Sequence, residues 1–280
     1  MTGKLTLCGT PIGNLGDLSE RAAKALESAD LVFAEDTRRT AQLLAHLGVS
    51  VPMKSFFAGN ERARLDLLRS ELEAGTSVVL VSDAGMPVIS DPGASAINAA
   101  VEVGAEIAVV PGPSAVSTAL SVSGFSGDRF VFDGFLPRKG RDRARAIQSI
   151  ASEQRTTVIF ASPKRVVDDL SDLADELDAD RRLVVARELT KVFEEVWRGT
   201  IGEASQYWES GGTTKGEFTV VIEGARAIEM SIDEAADAVR ALIAQGSSTS
   251  DAVRTIATAH DVSRRDLYDR ILKDRSDLLD

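Results

Sequence analysis

Short apolar runs recur along this chain, each separated from the next by a helical pattern: Lys4 to Gly9, Leu31 to Ala34, Ser77 to Ser82, Glu106 to Val110, Thr157 to Ala161, Leu183 to Arg187 and Phe218 to Glu223. Runs of this length suit strands, and strands that alternate with helices pair in parallel through helical crossovers. The expectation is an α/β protein with largely parallel sheets covered by helices. Ser19 is placed to cap a helix that opens Glu20-Arg21-Ala22-Ala23, and Asn60 to cap one over Glu61 to Ala74, which stops before Gly75.

The pattern changes twice. Asp133-Gly134-Phe135-Leu136-Pro137-Arg138-Lys139-Gly140 sets helix breakers around a short apolar pair and precedes a charged helix, Arg141 to Ala151, which reads as a hinge. After Gly224 three helical patterns, Asp233 to Gln245, Thr249 to Ala259 and Ser263 to Lys273, run on without strands. The expected organisation is two α/β domains, residues 1–133 and 134–224, and a small helical appendage over 225–280. With more acids than bases, that appendage reads first as a packing or dimer element and second as an RNA contact.

Composition removes several function classes. No apolar run approaches the roughly 18 residues that cross a bilayer, and the N-terminus enters an alternating pattern instead of a signal core, so a cytoplasmic protein is expected. Cys8 has no partner for a disulfide, and with only His46 and His260 no metal site is expected. Both histidines read as structural or solvated. The net charge of −11 argues against capture of nucleic acid by bulk charge. An RNA substrate would need a local basic patch, and Arg138, Lys139, Arg141, Arg143 and Arg145 supply one against the single acid Asp142.

The chemistry concentrates in loops. Gly9-Thr10-Pro11-Ile12-Gly13, Ser82-Asp83-Ala84-Gly85-Met86-Pro87 with Asp91-Pro92-Gly93, and Pro111-Gly112-Pro113-Ser114-Ala115 each follow a strand. Carboxyl ends of strands are where open α/β sheets bind ligands, and small residues let the main chain approach one. No loop matches a P-loop or a dinucleotide fingerprint. Glu35-Asp36-Thr37-Arg38-Arg39 ends another strand; Asp36 reads as a helix cap that can still face a cleft. Pro163 reads as the first residue of a helix.

These blocks, with Thr10 to Asp17, Gly134 to Gly140 and Lys215-Gly216-Glu217-Phe218-Thr219, resemble in content and order the signature segments of the ribosomal RNA small subunit methyltransferase I family, of the tetrapyrrole-methylase fold class. The resemblance spans about residues 5 to 223. It implies an S-adenosylmethionine-dependent enzyme that methylates a cytidine ribose 2′-hydroxyl in the decoding region of 16S rRNA in the small ribosomal subunit, working as a homodimer of two-domain subunits. By that analogy the donor site draws on Pro11, Asp83, Ala84, Gly85, Met86, Pro87, Ser114, Ala115, Phe160, Ala161, Gly216, Phe218 and Thr219. Met86 stands where the family more often has threonine. Ala161-Ser162-Pro163-Lys164-Arg165 stands where it has Glu-Ser-Pro-His-Arg, so no catalytic role is carried to that segment.

Moving a methyl group to a hydroxyl needs a base, for which Asp36 and Glu217 are candidates, and cationic support for a developing alkoxide, from Lys191 or Lys215. Arg38 and Arg39, with the basic run from Arg138 to Arg145, are candidate RNA contacts. Two other readings stand beside this one: a tetrapyrrole-type small-molecule methyltransferase, and a non-enzymatic RNA-binding protein of ribosome assembly.

Overall fold

The computed structural model describes residues 2–226, 230–260 and 262–276; of the expected appendage, positions 227–229, 261 and 277–280 lie outside them. Two compact units result, Met1–Glu223 and Gly224–Asp280.

The first unit holds two sheets. Strands β1 (Lys4–Cys8), β2 (Leu31–Ala34), β3 (Met53–Ser55), β4 (Ser77–Val81) and β5 (Glu106–Val110) form the first, in the order β3-β2-β4-β1-β5. All its pairings are parallel. Alternation along each strand sends Leu5, Phe33, Val78 and Leu80 to one face, against helices α3 (Glu61–Glu73) and α4 (Ala94–Glu102). Cys8, Val32, Val79 and Val81 go to the other, against α1 (Glu20–Glu27) and α2 (Thr37–Leu47). A parallel sheet must be covered on both faces, hence its nearly continuous apolar strands. Burial pushes the Cys8 thiol up to about 11, so it behaves as a small apolar side chain.

The second sheet departs from expectation. Strands β6 (Phe130–Phe135), β7 (Thr156–Ala161), β8 (Arg182–Arg187), β9 (Glu195–Thr200) and β10 (Phe218–Ile222) take the order β6-β7-β10-β8-β9, and only β6 and β7 run parallel. The connection from β8 to β9 is too short for a crossover, which forces an antiparallel return. One face packs on α6 (Gly140–Ser152), α7 (Val166–Glu176) and α8 (Ile201–Glu209). The other face packs Val158, Val184, Ala186 and Val221 on Val116 and Ala119 of α5 (Ala115–Ser123), joined by Ile12 from the loop after β1. The loops of the first sheet are therefore welded to the second sheet by a shared core.

Three local expectations are revised. The boundary between 133 and 134 falls inside β6, where Gly134 (φ 63°) marks a bulge between Phe132 and Phe135. Asn60 precedes α3 but caps nothing with its side chain, which instead accepts from the Phe57 N–H at 2.8 Å and donates to Ser55. Pro163 lies in a turn before α7, whose N-cap is Arg165.

In the second unit α9 (Ile232–Ala244), α10 (Thr249–Ala259) and α11 (Arg264–Ser276) close a core of their own around Ala235, Val239, Val253, Leu267 and Ile271. Ser231 and Glu234 cap α9 reciprocally. No helix among the described residues is long and apolar enough to cross a membrane.

The expected RNA contact Arg143 is a correction. Its guanidinium lies between α6 and α7, donating to the carboxylates of Asp169 at 2.8 Å and Asp172 at 2.5 Å and to the carbonyls of Pro137 and Asp168. The Arg143 and Asp169 side chains keep only 8% and 5% of their surface exposed. Helix phase explains the difference: Arg143 falls on the buried stripe of Ile147 and Ile150, whereas Arg141 and Arg145 do not. Removing one member of a buried pair strands the other, so Arg143→Ala is expected to lose about 3–5 kcal/mol in chemical denaturation, and Arg141→Ala or Arg145→Ala no more than about 0.5 kcal/mol.

Candidate active site

Three main-chain segments meet at the carboxyl ends of β1, β4 and β5. The Thr10 N–H donates to the Gly85 carbonyl at 2.9 Å, and the Gly85 N–H returns to the Thr10 carbonyl at 3.1 Å. Gly9 lies directly against Gly112: a Cβ on Gly9 would stand 2.6 Å from the Gly112 backbone and 2.7 Å from the Met86 sulfur. That sulfur accepts from the Gly112 N–H at 3.3 Å, so Met86 joins the second loop to the third. Glycine is required at 9 and 112 by this approach, and at 85 by a left-handed φ of 81°.

Below the junction lies a cavity of about 300 Å³ between the two sheets. Its floor and walls include Ile12, Asp83, Ala84, Gly85, Met86, Ser114 and Ala115 from the first sheet's loops, and Phe160, Ala161, Ala186, Leu189, Phe218 and Thr219 from the second. Ten of the residues assigned to a donor site by resemblance thus border one space. Three do not. Pro11 and Pro87 shape the loops on either side of Ile12 and Met86, and Gly216 (φ 102°) makes room for Glu188, whose carboxylate accepts from the Glu217 N–H at 2.9 Å.

The expected catalytic groups fare less well. Asp36 is outside the lining; it caps α2 through the Arg38 N–H and binds the Arg38 guanidinium at 2.6 Å, which pulls its carboxyl down to about 2. Such a carboxylate is a feeble proton acceptor, and Arg38 is spent on it. Glu217 borders the cavity but is bound by Lys191 at 3.0 Å. Lys191 also meets Glu188 at 2.8 Å, with its aliphatic stem against Gly13, so its charge serves a bridge between loops. Lys215 is exposed and outside the lining, and its carbonyl accepts from Arg187. Arg39 lines the cavity and faces Asp83 at 3.7 Å, while Arg138, Lys139, Arg141 and Arg145 are exposed. Neither histidine borders the cavity.

Several lining residues were given no individual role from sequence, Glu35 and Asp91 being named only within their loop segments: Glu35, Ile89, Ser90, Asp91, Phe135 and Leu189. Burial raises the Glu35 carboxyl, opposed by the Asp83 N–H at 3.2 Å. Asp91 is raised to about 6, chiefly by burial and then by the Glu35 charge. Val88, Ser90, Glu188 and Thr190 all take left-handed φ values, 80°, 62°, 51° and 67°, within the loops that border the cavity. Backbone strain of this kind gathers where a site needs it.

Comparison with known proteins fits this architecture. The family model for Tetrapyrrole (Corrin/Porphyrin) Methylases matches residues 4–205, and that for the RsmI C-terminal HTH domain matches residues 230–275. A ribosomal RNA small subunit methyltransferase I of Synechocystis sp. is 43% identical over 278 residues, covering 98% of this chain and 99% of the relative. The chain belongs to the ribosomal RNA small subunit methyltransferase I family. A member of the family from Thermotoga maritima is 46% identical over 222 residues, 79% of this chain and 99% of its own, a span close to that of the two-sheet unit. Among solved structures, a uroporphyrin-III C-methyltransferase of Thermus thermophilus complexed with S-adenosyl homocysteine shares the fold at 17% identity, with a TM-score of 0.57 over 78% of this chain and 97% of that one.

Because Gly9 and Gly112 touch through their main chains, Gly9→Ala must part the loops or distort them. It is expected to cost about 1–3 kcal/mol by chemical denaturation, and a variant with unchanged stability would contradict the packing described.

Proposed function

We propose that this protein transfers the methyl group of S-adenosylmethionine to 16S rRNA of the small ribosomal subunit, at the ribose 2′-hydroxyl of a cytidine in the decoding region. The observation that carries this reading is the near full-length kinship, at 43% identity, with a ribosomal RNA small subunit methyltransferase I. The likeness to the uroporphyrin-III C-methyltransferase is one of fold alone, which leaves the tetrapyrrole reading without its own support.

The lining fits the donor. Ala84, Gly85, Ser114 and Ala115 bring main-chain groups to the cavity surface, Ile12, Leu189 and Phe218 give apolar surface to a flat base, and Asp83 opposes positive charge. When bound, S-adenosylmethionine supplies a methyl carbon activated by its sulfonium. The residues of the chain hold the acceptor in line with that carbon and exclude water, and positioning alone can supply much of the acceleration. Arg39 at the cavity and the exposed Arg138, Lys139, Arg141 and Arg145 present the positive surface that a phosphate backbone needs on an acidic protein. Acting on ribosomal RNA puts the protein in the cytoplasm. Homodimer formation has a candidate surface in the edge strand β5, where Ile107 and Val109 are exposed beside Val101 of α4.

Incubation with labelled S-adenosylmethionine and either 30S subunits or naked 16S rRNA, followed by mapping of the label, tests the reading; we expect a single modified ribose. Label on a base, or none on either substrate, would refute it. Replacing Arg138, Lys139, Arg141 and Arg145 by Gln is expected to weaken RNA binding, with a log–log salt slope smaller by about 0.7–0.9 for each phosphate no longer neutralised, while donor affinity stays as in the wild type.

A further inference from the structure

The reaction needs a group to receive the hydroxyl proton, and neither candidate taken from the sequence serves: Asp36 lies outside the cavity lining and Glu217 is held by Lys191. The carboxylates that border the cavity are Glu35, Asp83, Asp91 and Glu217. Three of them are engaged. Glu35 accepts from the Asp83 N–H at 3.2 Å, Asp83 accepts from the Asp36 N–H at 2.8 Å and faces Arg39, and Glu217 pairs with Lys191. Among the described residues Asp91 has neither a cation nor a main-chain N–H, only the hydroxyl of Ser82.

Around Asp91 the cavity also changes character. Phe135 borders the same space with much of its ring exposed, leaning on Phe160 with centroids 5.4 Å apart. The bulge in β6 produces this: Phe132 and Phe135 are an odd number of residues apart, yet both rings pack on Phe160. Gly134 lies against the residue before Asp91, since a Cβ there would meet the Ser90 hydroxyl at 3.3 Å. An exposed ring thus borders the same cavity as a carboxylate that is free to take a proton, with their chain neighbours Gly134 and Ser90 close together, and an unpaired nucleobase stacks on such a ring.

We infer that the Phe135 and Asp91 end of the cavity is the acceptor subsite, with Phe135 as the platform for the target base and Asp91 as the proton acceptor for its ribose hydroxyl. This rests on the methyltransferase reading above. The hydroxyl oxygen forms a bond to the methyl carbon, the carbon–sulfur bond breaks with its electron pair going to sulfur, and the proton passes to the Asp91 carboxylate. The charges acting on Asp91 are Glu35 at the end of β2 and Asp83 after β4, while Arg39 of α2, which faces Asp83, and the paired Glu217 border the same cavity. Its carboxyl sits near 6, raised by burial and by Glu35, and the ionised form is the active one, so the rate climbs as pH rises through that value.

Single-turnover methylation of 30S subunits at saturating S-adenosylmethionine, followed against pH, tests this, with donor affinity measured in parallel by calorimetry. For Asp91→Asn we expect unchanged donor affinity, a rate at least about 100-fold lower and loss of the limb near pH 6. For Glu35→Gln, which removes the neighbouring charge and keeps an oxygen for the Asp83 N–H, the limb shifts to lower pH. Phe135→Ala raises KM for the subunit more than it lowers kcat. Asp91→Asn with a rate within about 3-fold of wild type would overturn the assignment. So would weakened donor binding with unchanged kcat, or a limb that Glu35→Gln leaves in place. A wild type that methylates no RNA would instead sink the underlying reading.

Discussion

The contact of Gly9 with Gly112, reinforced by the paired hydrogen bonds between Thr10 and Gly85, holds the loops after β1, β4 and β5 at the spacing of two main chains. No side chain intervenes there except the Met86 sulfur, which itself accepts from Gly112. Because those loops also carry Ile12 and lead into α5, which together pack on the second sheet, fixing them fixes the opposite wall of the cavity. The cavity is therefore set by the close approach of backbone, a constraint that tolerates little substitution at the glycines and more at residues whose side chains merely border the space.

Charge is organised around this core in pairs. Of the basic residues that an acidic chain could spare for RNA, Arg143 is consumed inside the second sheet's helical layer, Arg38 is bound to Asp36, and Lys191 bridges Glu188 and Glu217. Of the residues expected to contact RNA, those still open to a polyanion are the exposed Arg138, Lys139, Arg141 and Arg145 around the start of α6, with Arg39 reaching the cavity. A net charge of −11 then has a plain consequence: general attraction to nucleic acid is suppressed, and binding depends on a surface that matches a local patch.

Much of this was legible in the residues themselves. Each apolar run named from the sequence became a strand, because a short segment dominated by apolar residues between breakers leaves few alternatives. The three strands that escaped were short or mixed: β3 has three residues, β6 carries Asp133 and Gly134, and β9 alternates Trp197 with Arg198 at an edge. Glycine- and proline-rich loops pointed to the cavity, and the family resemblance named ten of the residues that border it. Side-chain partnerships were not readable. Asp36 and Glu35 are neighbours, yet only the packing of Asp83 across from them decides that Glu35 turns to the cavity and Asp36 to Arg38. Asp91 was visible merely as part of a turn motif, since the charge that raises it, Glu35 at the end of β2, lies far away in the chain.

Methyl transfer by this chain requires that the cavity take the donor. Isothermal titration of the purified protein with S-adenosylmethionine, repeated on Ala115→Trp, which places a bulky ring where a small residue lines the space, measures this directly. We expect one saturable site per chain in the wild type, competed by S-adenosyl homocysteine and absent from the variant. Undiminished binding by Ala115→Trp, or no heat from the wild type, would contradict it.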